Sequence, residues 1–216
     1  MIAELHAHST HSHDGRDPVR ELLDSAVEKG IDIISITDHD TVNGSLEAIE
    51  IVESEHLPLI VLPGVEISTE EGHLLAFGVS RDFEPGIPMR ETVQLVKNVG
   101  GVAAVAHPFQ VHRHGILRLS KVIDVVDAVE VFNAKFYIGF CNIMANYFAV
   151  KYQKPSIAGS DAHCSSAIGH GITLLYKARD AATALNDIRC GNTEVRGKRI
   201  PLTIQLRNLK TKFGVA

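Results

Sequence analysis

The sequence predicts one α/β domain, and three observations predict it. Short apolar, β-branched runs recur along the chain, helical patterns separate several of them, and ionisable residues cluster directly after the apolar runs. Strand followed by helix, repeated, builds a parallel sheet. In parallel α/β folds the active site lies beyond the carboxyl ends of the strands, whether the sheet is open or closed into a barrel.

The elements follow in order. Ile2 to Leu5 reads as a strand running into His6-Ala7-His8. A helix over Val19 to Lys29 opens after Asp17-Pro18, because proline is pre-set for a first helical turn. Ile33 to Ile36 is a buried strand delivering Thr37, Asp38, His39 and Asp40, and Ser45 to Ser54 is the next helix. Leu59 to Leu62 leads to Gly64 and Glu66, and Leu74 to Val79 is a further strand. A helix over Met89 to Val99 is closed by Gly100-Gly101, and Val102 to Val105 then leads to His107. Val125 to Phe132 precedes Asn133 and Lys135, and Ser156 to Ala158 precedes Ser160, Asp161 and His163. Ile172 to Tyr176 is the last strand, before a helix over Ala181 to Arg189 closed by Gly191. No linker or repeat interrupts this, so residues 1–193 form the domain and 194–216 a basic C-terminal segment packed on it.

Composition excludes several classes. An apolar content of 45% suits a globular core, and no apolar run approaches the roughly 20 residues of a spanning helix. The start, MIAELHAHST, has no signal-peptide pattern, so the expected location is cytoplasmic. Cys141, Cys164 and Cys190 are too scattered for a disulfide framework or a CxxC metal knot. A net charge of −5 argues against a protein that coats nucleic acid. The charge is uneven: from Glu194 onward stand Arg196, Lys198, Arg199, Arg207, Lys210 and Lys212. That segment is either a solvated basic terminus or an electrostatic guide for a polyanionic substrate.

The strand ends point to metal chemistry. Residues i and i+2 of a strand face the same way, so His6 and His8 can reach one ion, and Asp161 and His163 repeat that geometry. Imidazole suits zinc, iron, manganese and similar ions. A carboxylate such as Glu66, with His73 nearby, can bridge two cations. Asp38 is set aside, since an aspartate after a strand can cap the helix beginning near Thr41. Six of the 12 histidines stand at the ends of buried strands, and so much desolvated charge requires an ion.

HAHSTHSHD, ITDHD, GVEIS, HLLAFGV, AHPF, VEVFN and GSDAH, in this order, resemble the motifs of the PHP (polymerase and histidinol phosphatase) superfamily of metal-dependent phosphoesterases. The resemblance covers the chain to about residue 175. It implies a distorted seven-stranded (β/α)7 barrel with two or three divalent ions (manganese, zinc or iron). One ion would be held by His6, His8, Glu66 and Asp161, a second by Glu66, His73 and His107, and a third by Asp14, His39 and His163. Within that set His39, Glu66 and His163 are the expected catalytic residues. Many members read HxHxxxxSDG; aligned on His6 and His8, that pattern sets its serine at His13 and its aspartate at Asp14. Asp14 is therefore preferred as the third-site ligand and His13 is the alternative. His11 is read as a surface residue.

The expected reaction is hydrolysis of a phosphate ester by a metal-activated water. No phosphate-cradling GxxxxGK[ST] motif and no Ser-His-Asp arrangement appears. Arg113 is the first candidate for the substrate phosphate and Arg118 the second. Asn133 or Lys135 either contacts a phosphate oxygen or starts a helix. About ten residues separate Val79 from Met89, where a lid would be inserted, which implies a mouth open to a nucleotide, an oligonucleotide end or a small phosphomonoester. The competing readings are a histidinol-phosphatase-like monoesterase, a non-catalytic regulatory or binding module, and a hydrolase of C–N bonds. Oligomeric state is not legible.

Overall fold

The computed structural model describes residues 1–110, 114–135 and 139–205. The strands are β1 (Ile2–Ala7), β2 (Ile33–Ile36), β3 (Ile60–Val61), β4 (Gly64–Ser68), β5 (His73–Phe77), β6 (Val102–Val105), β7 (Ala128–Asn133), β8 (Ser156–Gly159), β9 (Gly171–Leu175) and β10 (Thr193–Gly197). The helices are α1 (Val19–Glu28), α2 (Asn43–Glu55), α3 (Met89–Asn98), α4 (Phe140–Lys151) and α5 (Ala181–Cys190).

The expected distorted seven-stranded (β/α)7 barrel is not seen as a closed sheet among the described strands. They form two five-stranded sheets, ordered β10-β9-β1-β2-β3 and β4-β5-β6-β7-β8. Both are mixed: β1–β2, β2–β3, β6–β7 and β7–β8 are parallel, whereas β1–β9, β9–β10, β4–β5 and β5–β6 are antiparallel. The turn through Thr69, Glu70, Glu71 and Gly72 is too short for a crossover, so β4 and β5 make a hairpin. The sheets do not close. They meet through isolated bridges, Ala7 with Ala162 and His39 with Glu66, at the carboxyl ends of β1 and β2.

Between the sheets lies a shared apolar interior: Ala3, Leu5 and Ile33 from one, Leu75, Phe77, Val102, Ala104, Ala128 and Ile157 from the other. Ala184 and Ile188 of α5 join the same cluster. Outside the first sheet, Val19, Leu22, Leu23 and Ala26 of α1 pack against Ile34 and Ile36. This is the i, i+3, i+4, i+7 stripe of an amphipathic helix. Outside the second, Met89, Val93 and Val96 of α3 pack with Ala145 and Ala149 of α4. Because both faces of β2 are covered, all four residues Ile33 to Ile36 are buried and only Ser35 among them is polar.

Two β-bulges change what the strands aim inward. In β1 the pairing with β2 slips between Glu4 and Ala7. Ala3 and Leu5 face the interior and Ala7 packs outside, so the extra residue turns His6 to the side that Leu5 occupies. In β7 the pairing with β8 slips between Glu130 and Phe132. This brings Glu130 and Asn133, three apart, into a hydrogen bond of 3.1 Å.

Three elements were not legible. β4 starts only three residues after β3 ends, so Glu66 sits inside a strand and not after one. α4 exposes Phe140, Ile143, Tyr147 and Val150 while burying Cys141, Ala145 and Ala149, so apolar residues on both faces erase its helical period. β10 is a polar edge strand, TEVRG, held by pairing with β9. Through it, residues 194–205 stay on the domain, with Ile200 N–H donating to Ala134 O at 2.9 Å. In the 78–88 segment Phe83 is buried, Asp82 accepts from Val42 N–H at the start of α2, and Gly86 N–H donates to Ser68 O at the end of β4 at 2.7 Å. No helix among the described residues is long and apolar enough to cross a membrane. Cys141, Cys164 and Cys190 form no disulfide.

Candidate metal centre

Glu66, fully buried in β4, is the hub of the strand-end cluster. One of its oxygens lies 3.1 Å from His6 Nε2, 3.2 Å from His8 Nε2 and 3.4 Å from His39 Nδ1. The other lies 3.0 Å from His73 Nδ1 and 2.8 Å from His107 Nε2. One carboxylate therefore faces five imidazoles. β1 supplies His6 and the residue after it His8, and the ends of β2, β5 and β6 supply the other three.

A second carboxylate, Asp161, follows β8 with its Oδ1 3.7 Å from His8 Nε2 and 3.4 Å from His163 Nδ1. Asp14, in the loop after β1, lies 2.7 Å from His163 Nε2 and 3.7 Å from His39 Nε2. The ligand-capable atoms fall into four groups, each within 4.8 Å: His6, His8, Asp161; His6, Glu66, His107; His39, Glu66, His73; and His8, Asp14, His39, His163. All nine residues expected from the sequence are in these groups. The grouping is less separate than expected, because His6, His8 and His39 are each shared between neighbouring groups. His13 is in none of them; it is exposed, stacked on His39 at 5.2 Å, at the pocket mouth. His11 sits outside, paired with Glu47.

The surroundings suit cations. Both ring nitrogens of His8 and Nδ1 of His39 are buried without a hydrogen bond, although a buried polar atom is normally satisfied. Imidazoles and carboxylates together are donors for borderline divalent ions. Burial opposes ionisation of Glu66, yet His6, His73 and His39 hold it well below the usual carboxylate range. Burial likewise opposes a charged His6, and Glu66, Glu130 and Asp161 overcome it. His8 goes the other way, driven down by burial and by His163 beside it. His163 falls to about 4 through burial and the Lys135 ammonium. A cluster that must mix charged and neutral imidazoles around buried carboxylates is electrostatically complete with cations between them.

Residues behind the cluster hold it in shape. Glu130, buried in β7, places Oε1 2.9 Å from His6 Nδ1 and accepts His107 N–H at 2.7 Å. Such a carboxylate fixes the tautomer that leaves Nε2 to a metal. The sequence signal was an acid inside the apolar run VEVF, but its partner is visible only in three dimensions. Asp38 does not cap α2: it accepts from Ser9 N–H and Oγ at 2.6 and 2.7 Å, pinning the loop after His8. Asp40 does the same for Ser68 at the end of β4. Gly159 is required because a Cβ there would lie 2.3 Å from His6 Cβ.

The expected substrate residues divide. Lys135 reaches the cluster, its Nζ 2.8 Å from His163 Nε2 and 3.5 Å from Asp161 Oδ1. Asn133 is fully buried, donating to Glu130 and Asp161 at 3.1 and 2.9 Å. Arg118 lines an adjacent concavity of about 330 Å³ with Lys121 and the β4–β5 turn. Arg113 lies outside the described residues. The opening at the cluster itself, about 300 Å³, is lined by His13, Asp14, His39, Asp40, Ser68, His73, His114 and Lys135. His114, which sequence reasoning did not single out, stacks on His73 at 5.6 Å and borders both concavities.

Comparison with known proteins agrees with this picture. Residues 4–107 match the PHP domain model and residues 141–193 the PHP-associated model. An uncharacterised protein of Methanocaldococcus jannaschii is 30% identical over 156 residues, 67% of this chain and 89% of that protein. The phosphoribosyl 1,2-cyclic phosphate 1,2-diphosphodiesterase of Eggerthella lenta is 38% identical over 41% of this chain. The 5'-3' exoribonuclease Rnm of Salmonella typhimurium is 42% identical over 38% of it. The matches span only 33% and 31% of those two enzymes. In fold, a two-domain protein of Bacteroides vulgatus containing a predicted PHP-like metal-dependent phosphoesterase superposes with a TM-score of 0.77 at 18% identity, covering 92% of this chain and 65% of that one.

Proposed function

Since the chain belongs to the PHP superfamily of metal-dependent phosphoesterases, we propose that it hydrolyses a phosphate ester at the Glu66 cluster. The substrate is a nucleotide, an oligonucleotide end or a small phosphomonoester. The single observation that carries this reading is the Glu66 carboxylate set among five imidazoles, with Asp14 and Asp161 closing the remaining sides.

His6, His8, Asp14, His39, Glu66, His73, His107, Asp161 and His163 would hold two or three divalent ions, manganese, zinc or iron. Those ions would supply an activated water and neutralise charge on the phosphate oxygens. The chain does the rest. Glu66 cannot move, being buried and contacted from several strand ends, so it fixes the spacing of the groups on its two oxygens. His39 and His163 flank Asp14 at the pocket side, where the reacting phosphate would sit. Lys135 brings an ammonium to that edge as a donor to a phosphate oxygen. The similarity to a cyclic phosphodiesterase and to an exoribonuclease supports phosphate esters over C–N bonds as the target.

The test is release of phosphate or nucleotide by protein loaded with manganese, zinc or iron, from nucleoside monophosphates, bisphosphates, histidinol phosphate and short RNA. Glu66→Gln serves as the inactive control. Activity on at least one substrate, lost in the variant, is expected. No release from any of them by metal-loaded protein would replace this reading with that of a non-catalytic PHP module.

A further inference from the structure

The basic C-terminal segment is not used by the metal centre, yet its described part is built into a third concavity. Lys29, Ile168, Gly169, His170, Ile172, Arg196, Gly197 and Lys198 line a pocket of about 370 Å³. Its lining includes three permanent cations and a histidine but no acid, on a chain of net charge −5. The fold assembles it from distant segments. β9 runs antiparallel to β1, and β10 returns along β9 with Arg196 opposite Ile172 and Gly197 opposite Gly171. Arg196 and Lys198 thus come beside His170 and the end of α1.

The cations are held rather than loose. Lys29 Nζ donates to Ile168 O at 2.7 Å, Ser166 O at 3.3 Å and Ser165 O at 3.4 Å, so three carbonyls fix its charge at the pocket wall, and no carboxylate forms an ion pair with it among the described residues. His170 Nδ1 lies 3.0 Å from Ala167 O, which makes Nδ1 the donor and orients the ring. Arg196 meets Glu194 through Nε only, at 2.7 Å, on a side chain 61% exposed. No carboxylate pairs with Lys198 among the described residues. The buried acid Glu4 accepts from the Ser160 and Gly169 amides, the latter a lining residue. Gly171, between the lining residues His170 and Ile172, donates its N–H to Ser160 Oγ at 2.9 Å, and Ser160 precedes Asp161 in the chain.

We propose that this pocket is a binding site for a phosphoryl anion, separate from the metal centre. Oriented cations converging on a concavity with an apolar floor of Ile168 and Ile172 are the recognition chemistry of a phosphate-bearing ligand. The anion is either a further phosphate of a substrate held at the metal centre or a free effector.

Binding of pyrophosphate to metal-free protein at low salt, followed by calorimetry, tests the site without any hydrolysis, so its outcome is independent of the proposed reaction. Lys198→Glu and, separately, Arg196→Glu, both at exposed positions, should weaken binding about tenfold or more, with unchanged circular dichroism. Lys135→Ala, at the metal centre, should leave it intact. Absent binding, or binding lost in Lys135→Ala and kept in Lys198→Glu, overturns the proposal. The two sources separate with metal-loaded protein. A KM raised by Lys198→Glu for a bisphosphate but not for a monophosphate identifies the anion as part of the substrate. Equal KM values, with pyrophosphate binding still lost, identify a free effector.

Discussion

Glu130 Oε1 stands 2.9 Å from His6 Nδ1, and both side chains are buried. The other Glu130 oxygen accepts the His107 amide. One carboxylate therefore sets the orientation of one imidazole and the backbone carrying another. Glu130→Ala is expected to lower metal affinity about 10- to 100-fold without removing any ligand. Metal titration of the variant, with circular dichroism to confirm folding, checks this; wild-type affinity would rule out the positioning role.

Gly159 gives a steric counterpart. A methyl group there would lie 2.3 Å from His6 Cβ and 2.7 Å from a Glu130 oxygen, so Gly159→Ala must displace the pair just described. A loss of about 1–3 kcal/mol in stability is expected, together with weaker metal binding. Urea unfolding and metal titration on the same preparation measure both.

His39 sets a pH dependence. Burial lowers its pKa, but Glu66 and Asp14 outweigh burial and raise it to about 8 in the metal-free protein. A metal ion takes only the neutral ring, so below that pH a proton must leave before an ion can bind. Affinity at the group containing His39 and Asp14 should therefore fall about tenfold per pH unit on going down from 8, and level off above it. Competitive manganese titrations at several pH values read the slope. A flat profile between pH 6 and 8 would contradict it.

Phe77 tests the interior apart from the chemistry. It is fully buried between the sheets and pairs with Gly64, at the opposite end of the β4–β5 hairpin from Ser68 and His73. Phe77→Ala should cost about 3–5 kcal/mol, read by urea unfolding. Metal affinity of the protein that remains folded should be unchanged.

The sequence by itself determined the α/β class, most of the strands and helices, and the residues that could bind metal. These are local signals: an apolar run marks a covered strand, and a polar residue directly after it marks a strand end. His107 and Asp161 were legible for that reason, whereas His6 and Glu66 stand inside β1 and β4. Only the tertiary structure decided how the strands pair, because direction depends on connections and closure on how two twisted sheets meet. It joined them by bridges at Ala7–Ala162 and His39–Glu66 in place of a continuous barrel. It also decided where side chains point. Strict alternation along β1 would put His6 on the face opposite Leu5, and along β7 it would separate Asn133 from Glu130; a bulge in each strand reverses that. A bulge is set by the neighbouring strand, which a linear pattern cannot reveal. The same holds for Glu66, whose five imidazoles come from segments that only folding brings together.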